Sequence, residues 1–423
     1  GPMIVCSQIC TIMPSLVFYC HCGWQVLREK RTFAIILLAQ GEILRCHGRE
    51  TEVCAVWEVD VDRFWKEDEI AHRDNCFFQG RQVALGIRMS DECVFAELGE
   101  PGAPWGYTPL ARRVELNKRY NDKAEKIVGK RLLREEFLPE DAAFPPVKRI
   151  GEVFGSEYIM HNDTEWLTQS IEDAQALEER LDRVEKMDLR AFMLPPNWES
   201  EKRRIYETYG LRPAPMRHVR GPVTLACSLM GTTEFLYFLV DEPELAARFS
   251  RVIGDVIIRM AEIMDEEAGT QQRRGFSFAD DNCCLLSPEM YEAFGYPILK
   301  HVFERFSPDV TDSRYQHSDS AMGHLLPILG RLNLNGVNFG PTVLVPEIRK
   351  YLPQARIDGC ISPMDFMRND EDALRAQVKR DFLDDVKYGG VNLSTAGFIN
   401  NGSLLTSMRL IMSVIQAMGD GAQ

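Results

Sequence analysis

Two histidines and an aspartate crowd the segment Arg314-Tyr-Gln-His317-Ser-Asp319-Ser-Ala-Met-Gly323-His324, and these types at this spacing suit metal or proton chemistry. His317 and Asp319 stand at i and i+2. On a strand they share a face, and at its end they converge on one ion or one substrate. An imidazole nitrogen with a carboxylate oxygen is a workable pair for zinc or another divalent metal. A hydrogen-bonded pair that merely holds a loop is the plainer reading of the same two residues.

A second polar cluster, Phe278-Ala-Asp280-Asp281-Asn282-Cys283-Cys284, lies upstream. Adjacent acids on a strand face opposite sides, so only one reaches a shared pocket. Asp281 is the expected catalytic member, beside His317 and Asp319, while Asp280 is expected at a loop cap or on the substrate. Two buried carboxyls this close raise each other's pKa, which suits a general acid. Asn282, Asn338 in Val-Asn-Phe-Gly-Pro, Asn400 in the last loop and Arg314 are further expected substrate contacts. Cys283, Cys284 and Cys360 fall on nearby loops. A thiolate from Cys360 can complete a metal site with His317 and Asp319, although a free cysteine is more often a small buried hydrophobe.

The elements that must position these groups follow from periodicity. Ala174, Leu177, Leu181, Val184 and Met187 form one apolar stripe, and Leu245 to Ile263 form another that stops at Gly269. Ser287-Pro288-Glu289 carries a cap, a first-turn proline and an acid on the positive end of the dipole. Val345-Pro346 and Ser362-Pro363 also read as helix starts. Strands are expected at His218–Leu225, Gly275–Ala279, Val310–Tyr315, Gly336–Phe339, Ala355–Asp358 and Val391–Thr395. Strands alternating with amphipathic helices mean a parallel sheet. An open doubly wound sheet would advertise a glycine-rich nucleotide turn, and neither GxGxxG nor GxxxxGK[ST] occurs. The expected fold is therefore α/β, a (β/α)8 TIM barrel over residues 146–423 with its active face at the strand C-termini. Residues 1–145 read as an irregular extension packed on it. That extension holds strand-like runs at Phe33–Leu38, Cys54–Val59 and Cys93–Leu98, and a helix near 111–135.

The chain has 423 residues and a net charge of −14, which argues against nucleic acid or an anionic membrane as partner. Twelve irregularly spaced cysteines in an acidic α/β chain suggest reduced thiols in a cytoplasm. Gly1-Pro2 before Met3 reads as a tag scar. Met3–Leu27 carries no charge, yet it lacks a basic start and a cleavage site and is not read as an export signal. Cys6, Cys10, Cys20, His21 and Cys22 within it match no standard zinc spacing.

Gly221-Pro-Val-Thr-Leu-Ala, Ala-Asp280-Asp281 followed by Leu-Ser-Pro-Glu-Met-Tyr, Pro297, His317-Ser, and Asp358-Gly-Cys-Ile-Ser-Pro together resemble the uroporphyrinogen decarboxylase superfamily over roughly residues 150 to 420. The resemblance implies a (β/α)8 barrel with one of two chemistries. One is cofactor-independent decarboxylation. The other is methyl transfer between a cobalt corrinoid and a thiol, a methyl ether or a methylamine-type system. The thiol-activating branch binds zinc through His-x-Cys and a later cysteine. Here those positions read His317-Ser-Asp319 and Ser394-Thr-Ala-Gly397-Phe, which puts a thiolate-rich site in doubt. Glu289, Glu304 and His324 are loosely similar to a Glu/Glu/His zinc pattern of some ether-demethylating relatives.

The expected function is methyl transfer from an aromatic or similar small methyl ether to a cobalt corrinoid on a separate carrier protein, assisted by a divalent metal such as zinc. No Asp-x-His-x-x-Gly corrinoid signature occurs in the chain. A homodimeric assembly is among the expectations. The alternative is a decarboxylase of a small or tetrapyrrole acid. The porphyrinogen version needs basic residues to hold several carboxylates, and Arg217, Arg220 and Arg314 are the obvious ones.

Overall fold

The computed structural model describes residues 25–29, 32–39 and 42–45 of the first 56, and residues 57–423 except 103, 105, 162, 163, 270–273, 422 and 423. The cysteine-rich group from Cys6 to Cys22 and residues 54–56 lie outside the described residues. Two compact units divide at Val56/Trp57. In the first, β1 (Gln25–Glu29), β2 (Thr32–Ala39) and β3 (Glu42–Arg45) form an antiparallel sheet in that order.

The second unit is built on parallel strands. They are β4 (Ala84–Leu85), β7 (His218–Arg220), β8 (Phe276–Ala279), β9 (Arg314–Ser318), β10 (Gly336–Phe339), β11 (Arg356–Ile361) and β12 (Val391–Thr395). A separate antiparallel hairpin pairs β5 (Tyr158–His161) with β6 (Thr164–Leu167). The parallel order is β4-β12-β11-β10-β9-β8-β7, an α/β fold of TIM-barrel type. Seven strands of the ladder form among the described residues, where the sequence predicts eight.

The helices that matter to the site are α1 (Val61–Ala71), α2 (Cys93–Leu98), α3 (Leu110–Val128), α4 (Ala174–Val184), α5 (Pro222–Met230), α6 (Pro243–Ala268), α7 (Pro288–Phe306), α8 (Val345–Tyr351), α9 (Glu371–Tyr388) and α10 (Leu405–Gly421). Several starts follow from sequence alone. Ser287 Oγ accepts from the Met290 N–H and Asp173 Oδ1 from the Ala176 N–H, each taking up a donor the helix cannot satisfy itself. Among the described residues no single helix is long and apolar enough to cross a membrane.

Three boundaries differ from expectation. The run His218–Leu225 is strand only to Arg220, because Pro222 opens α5 and the Asp280 carboxylate accepts its first amides. Val310–Ser313 is a turn tied by Asp309 and Asp312, so β9 starts at Arg314 and carries His317 inside the strand. Cys93–Leu98 is helical: Cys93, Val94 and Glu97 are its buried face, and Gly99 closes it in the left-handed conformation.

The division expected at residue 145 does not coincide with a unit boundary. β4 pairs with β12, and Arg409 of α10 donates to the carbonyls of Trp57 and Ile127. Residues 57–145 therefore share a unit with the barrel. A two-residue strand is too short for its periodicity to show in sequence.

Side chains alternate across the sheet as strands require. Phe276 and Phe278 face the helices, where Phe278 meets Phe303 edge-on at 5.4 Å. On the inner face the Tyr315 hydroxyl reaches Asp358 Oδ2 at 3.0 Å, and Asp358 also binds Arg356 and Asn392. This polar inner layer lies one pleat below the candidate site.

Candidate metal centre

After β8 the chain turns into a short 3-10 segment, Asp281–Leu285, and after β9 it turns at Asp319. Both turns lie at strand C-terminal ends, and register pairs Ala279 with His317. Asp281 is thereby delivered next to the His317–Asp319 strand end. His317 Nε2 lies 3.6 Å from Asp281 Oδ1, which also accepts the Asp319 N–H at 3.1 Å. One ligating atom from each of Asp281, His317 and Asp319 falls within 4.8 Å of the others. The imidazole is largely covered, while about half of the Asp281 side chain is open.

The electrostatics follow from that crowding. Burial, then the Asp281 charge, pushes the Asp319 carboxyl above its ordinary range, and His317 opposes the shift. Asn338, paired with His317 across β10 and β9, places Oδ1 2.7 Å from His317 Nδ1. The same oxygen accepts the Gly397 N–H at 3.0 Å. Asn338 Nδ2 donates to the carbonyls of Asp358 and Thr395. Gly397 has φ +96°, and a Cβ there would meet Asp319 Oδ2 at 3.0 Å, so the last loop closes tightly on the cluster.

The other expected site residues land elsewhere. Asp280 is fully buried behind the sheet, accepting from the amides of Val223 and Thr224 and from Thr224 Oγ1. Burial raises its carboxyl to about 6. It braces the start of α5 and cannot touch substrate; a Cβ on Gly221 would collide with it at 2.2 Å. Asn282 gives its amide N–H to Thr224 Oγ1, and its side chain reaches the Cys227 thiol on α5. Arg314 sits at the opposite, N-terminal end of β9 and donates to the carbonyls of Ser307 and Leu332, so it is a brace and no substrate contact.

Cys360 is fully buried. Its N–H donates to Asp381 Oδ2 and its carbonyl accepts from Arg380, both on α9. Burial pushes its thiol up, and it takes no place in the ion-holding group. Cys283 is likewise buried with a raised thiol. Asn338 has all its amide capacity occupied by protein groups, which leaves none for substrate. Asn400 lies on the loop after β12, where its carbonyl accepts from Cys93 Sγ at 3.5 Å. His324 Nε2 meets the Leu286 carbonyl and Glu304 pairs with Lys300, so the Glu289/Glu304/His324 pattern does not assemble.

Sequence reasoning missed His218 on β7. Its Nδ1 lies 2.9 Å from Ser277 Oγ, and partial desolvation, then the neighbouring His317, lowers its pKa. The available signal was the alternation His218-Val-Arg220, which puts two polar residues on the inner face.

A family model described as "Uroporphyrinogen decarboxylase (URO-D)" matches residues 153–391, more than half of the chain. No curated protein sequence matches. Among solved structures, a methyltransferase from Methanosarcina mazei superposes with a TM-score of 0.51 at 15% identity, covering 83% of this chain and 98% of that one. At that identity the likeness speaks to the fold.

Proposed function

The chain belongs to the uroporphyrinogen decarboxylase (URO-D) family, and from that premise we propose that it is a metal-assisted methyltransferase of a corrinoid-dependent system. Its donor would be a small methyl ether and its acceptor a cobalt corrinoid on a separate protein. The observation that carries this reading is the convergence of Asp281, His317 and Asp319 at the strand C-termini. One imidazole nitrogen with carboxylate oxygens is a donor set suited to zinc or a comparable divalent ion. These three residues would hold the metal, which when bound supplies Lewis acidity to an ether oxygen.

The protein's own groups supply the rest. Burial and the adjacent Asp281 charge raise the Asp319 carboxyl, so its negative charge is one that a bound cation would relieve. His218, on the inner face with a lowered pKa, can accept a hydrogen bond from a substrate hydroxyl. The inner polar layer below, anchored on Asp358, forms a rigid floor.

A second reading, decarboxylation of a small acid, draws on Arg220, which donates to the Ser228 hydroxyl and pairs with no carboxylate among the described residues. The tetrapyrrole version is weakened because Arg217 pairs with Asp265 and Arg314 is held by carbonyls. Incubation with reduced corrinoid protein and a panel of methyl ethers decides between the two. Demethylated product with methyl uptake by the carrier is expected. Carbon dioxide release from an acid, with no methyl uptake from any donor, reverses the assignment.

A further inference from the structure

The amide of Asn338 has only one orientation compatible with its surroundings. Two of its neighbours, the carbonyls of Asp358 and Thr395, can only accept, so they demand the NH2 end. A third, the Gly397 N–H at 3.0 Å, can only donate, so it demands Oδ1. None of these three groups titrates or flips. Oδ1 therefore faces His317 Nδ1 at 2.7 Å, and that contact is a hydrogen bond only if Nδ1 carries the proton.

With Nδ1 protonated, the neutral ring has its lone pair on Nε2, the nitrogen 3.6 Å from Asp281 Oδ1. A lone pair and a carboxylate cannot hydrogen-bond each other. Asp281 Oδ1 is already an acceptor, from the Asp319 N–H, and a carboxylate oxygen of Asp319 lies within 4.8 Å of the Asp281 and His317 ligand atoms. Acceptors thus converge on one point, which is an arrangement that a cation resolves.

We infer that Asn338 is a positioning residue that locks His317 in the Nδ1–H tautomer and thereby aims a bare Nε2 into the Asp281–Asp319 group as a metal ligand. The inference deepens the reading of that group as an ion site and rests on it. Gly397 belongs to the same device. Its amide fixes the Asn338 oxygen while its missing side chain leaves room for Asp319. Partners in this outer position fix ring orientation and ligand basicity, and their loss typically costs about 10–100-fold in metal affinity.

The test reads the ring directly. In full-length protein with 15N-labelled histidine rings, His317 is assigned by difference against His317→Ala, and its two nitrogens are followed without metal and then through a zinc titration. The expected result is a protonated Nδ1 and a bare Nε2 in the metal-free protein, with only Nε2 shifting on addition of zinc. An Nε2–H tautomer or a doubly protonated ring at pH 7.5 overturns the inference, even if zinc binds. Absence of zinc binding with the Nδ1–H tautomer in place would instead overturn the metal reading and leave the positioning role standing.

Variants give a second, independent readout. Asn338→Ala should weaken zinc binding about 10–100-fold. Equal affinity in wild type and Asn338→Ala overturns the inference. If Asn338→Ala does not fold, the wild-type ring spectrum alone decides.

Discussion

At the N-terminal ends of the strands, Arg314 donates to the carbonyls of Ser307 and Leu332, and Arg349 donates to those of Leu352, Pro353, Ala355 and Gly389. At the C-terminal ends, Asp281, His317 and Asp319 set acceptor against acceptor. The first arrangement pairs each charge with fixed backbone partners and fastens the turns that enter β10, β11 and β12. The second leaves charge unbalanced at a surface that water and ligand can reach. Charged side chains whose partners are all supplied by the backbone thus fasten one end of the barrel, while those set against one another lie at the end where such folds carry their chemistry.

The largest expected effect tests the first end. Arg349 is buried, and Arg349→Met leaves four carbonyls without their donor. It should destabilise the protein by about 3–5 kcal/mol in urea unfolding while leaving metal affinity of the folded fraction unchanged. A loss of metal affinity there, with stability intact, would erase the distinction between the ends.

The next effect tests the other end. His317→Ala should lower turnover by at least ~10²-fold with the unfolding midpoint nearly unchanged. Asp319→Ala should reproduce much of the loss, and the double variant should fall short of additivity because both groups act at one centre. Lost thermal stability with activity retained per folded molecule would make the pair a structural brace.

The smallest effect sharpens the contrast through pH. Asp385, on α9 near Arg349, accepts the Val391 N–H, and burial raises its carboxyl to about 6. A folded pKa above the unfolded one means that its stabilising contribution is present below about pH 3.8 and is lost as pH rises through about 6. Asp385→Asn cannot ionise. Relative to wild type it should therefore gain on the order of 1 kcal/mol between pH 4.5 and 7.5 in urea unfolding. The opposite sign would mean that Arg349 holds Asp385 ionised and that the two form a true ion pair.

Much of this architecture was legible one segment at a time. Strands β10 and β12, the capped start of α7, the stripe of α4 and the glycine stop of α6 each follow from spacing and cap chemistry within a few residues. The His317–Asp319 half of the cluster was also accessible, because an i, i+2 pair shares a face, whereas the third expected ligand was Cys360 and the group is completed by Asp281 instead. Short or composite features were not. β4 spans two residues, and Cys93–Leu98 reads equally as strand or helix until its burial is known.

What the sequence by itself determined is which residues lie at strand ends and which face alternate positions share, since both depend on local periodicity. Which polar groups remain unsatisfied was decided only by tertiary structure. Asp280 and Asp281 are neighbours in the chain, yet α5 closes over the first and leaves the second facing an imidazole. Arg314 and His317 share one strand, and chain direction alone separates a brace from a candidate ligand. Asn338 looks like a free amide in sequence. Its partners come from Asp358, Thr395 and Gly397, 20 to 59 residues away. Hydrogen-bond satisfaction depends on groups far apart in the chain, so it becomes visible only when the strands are laid side by side.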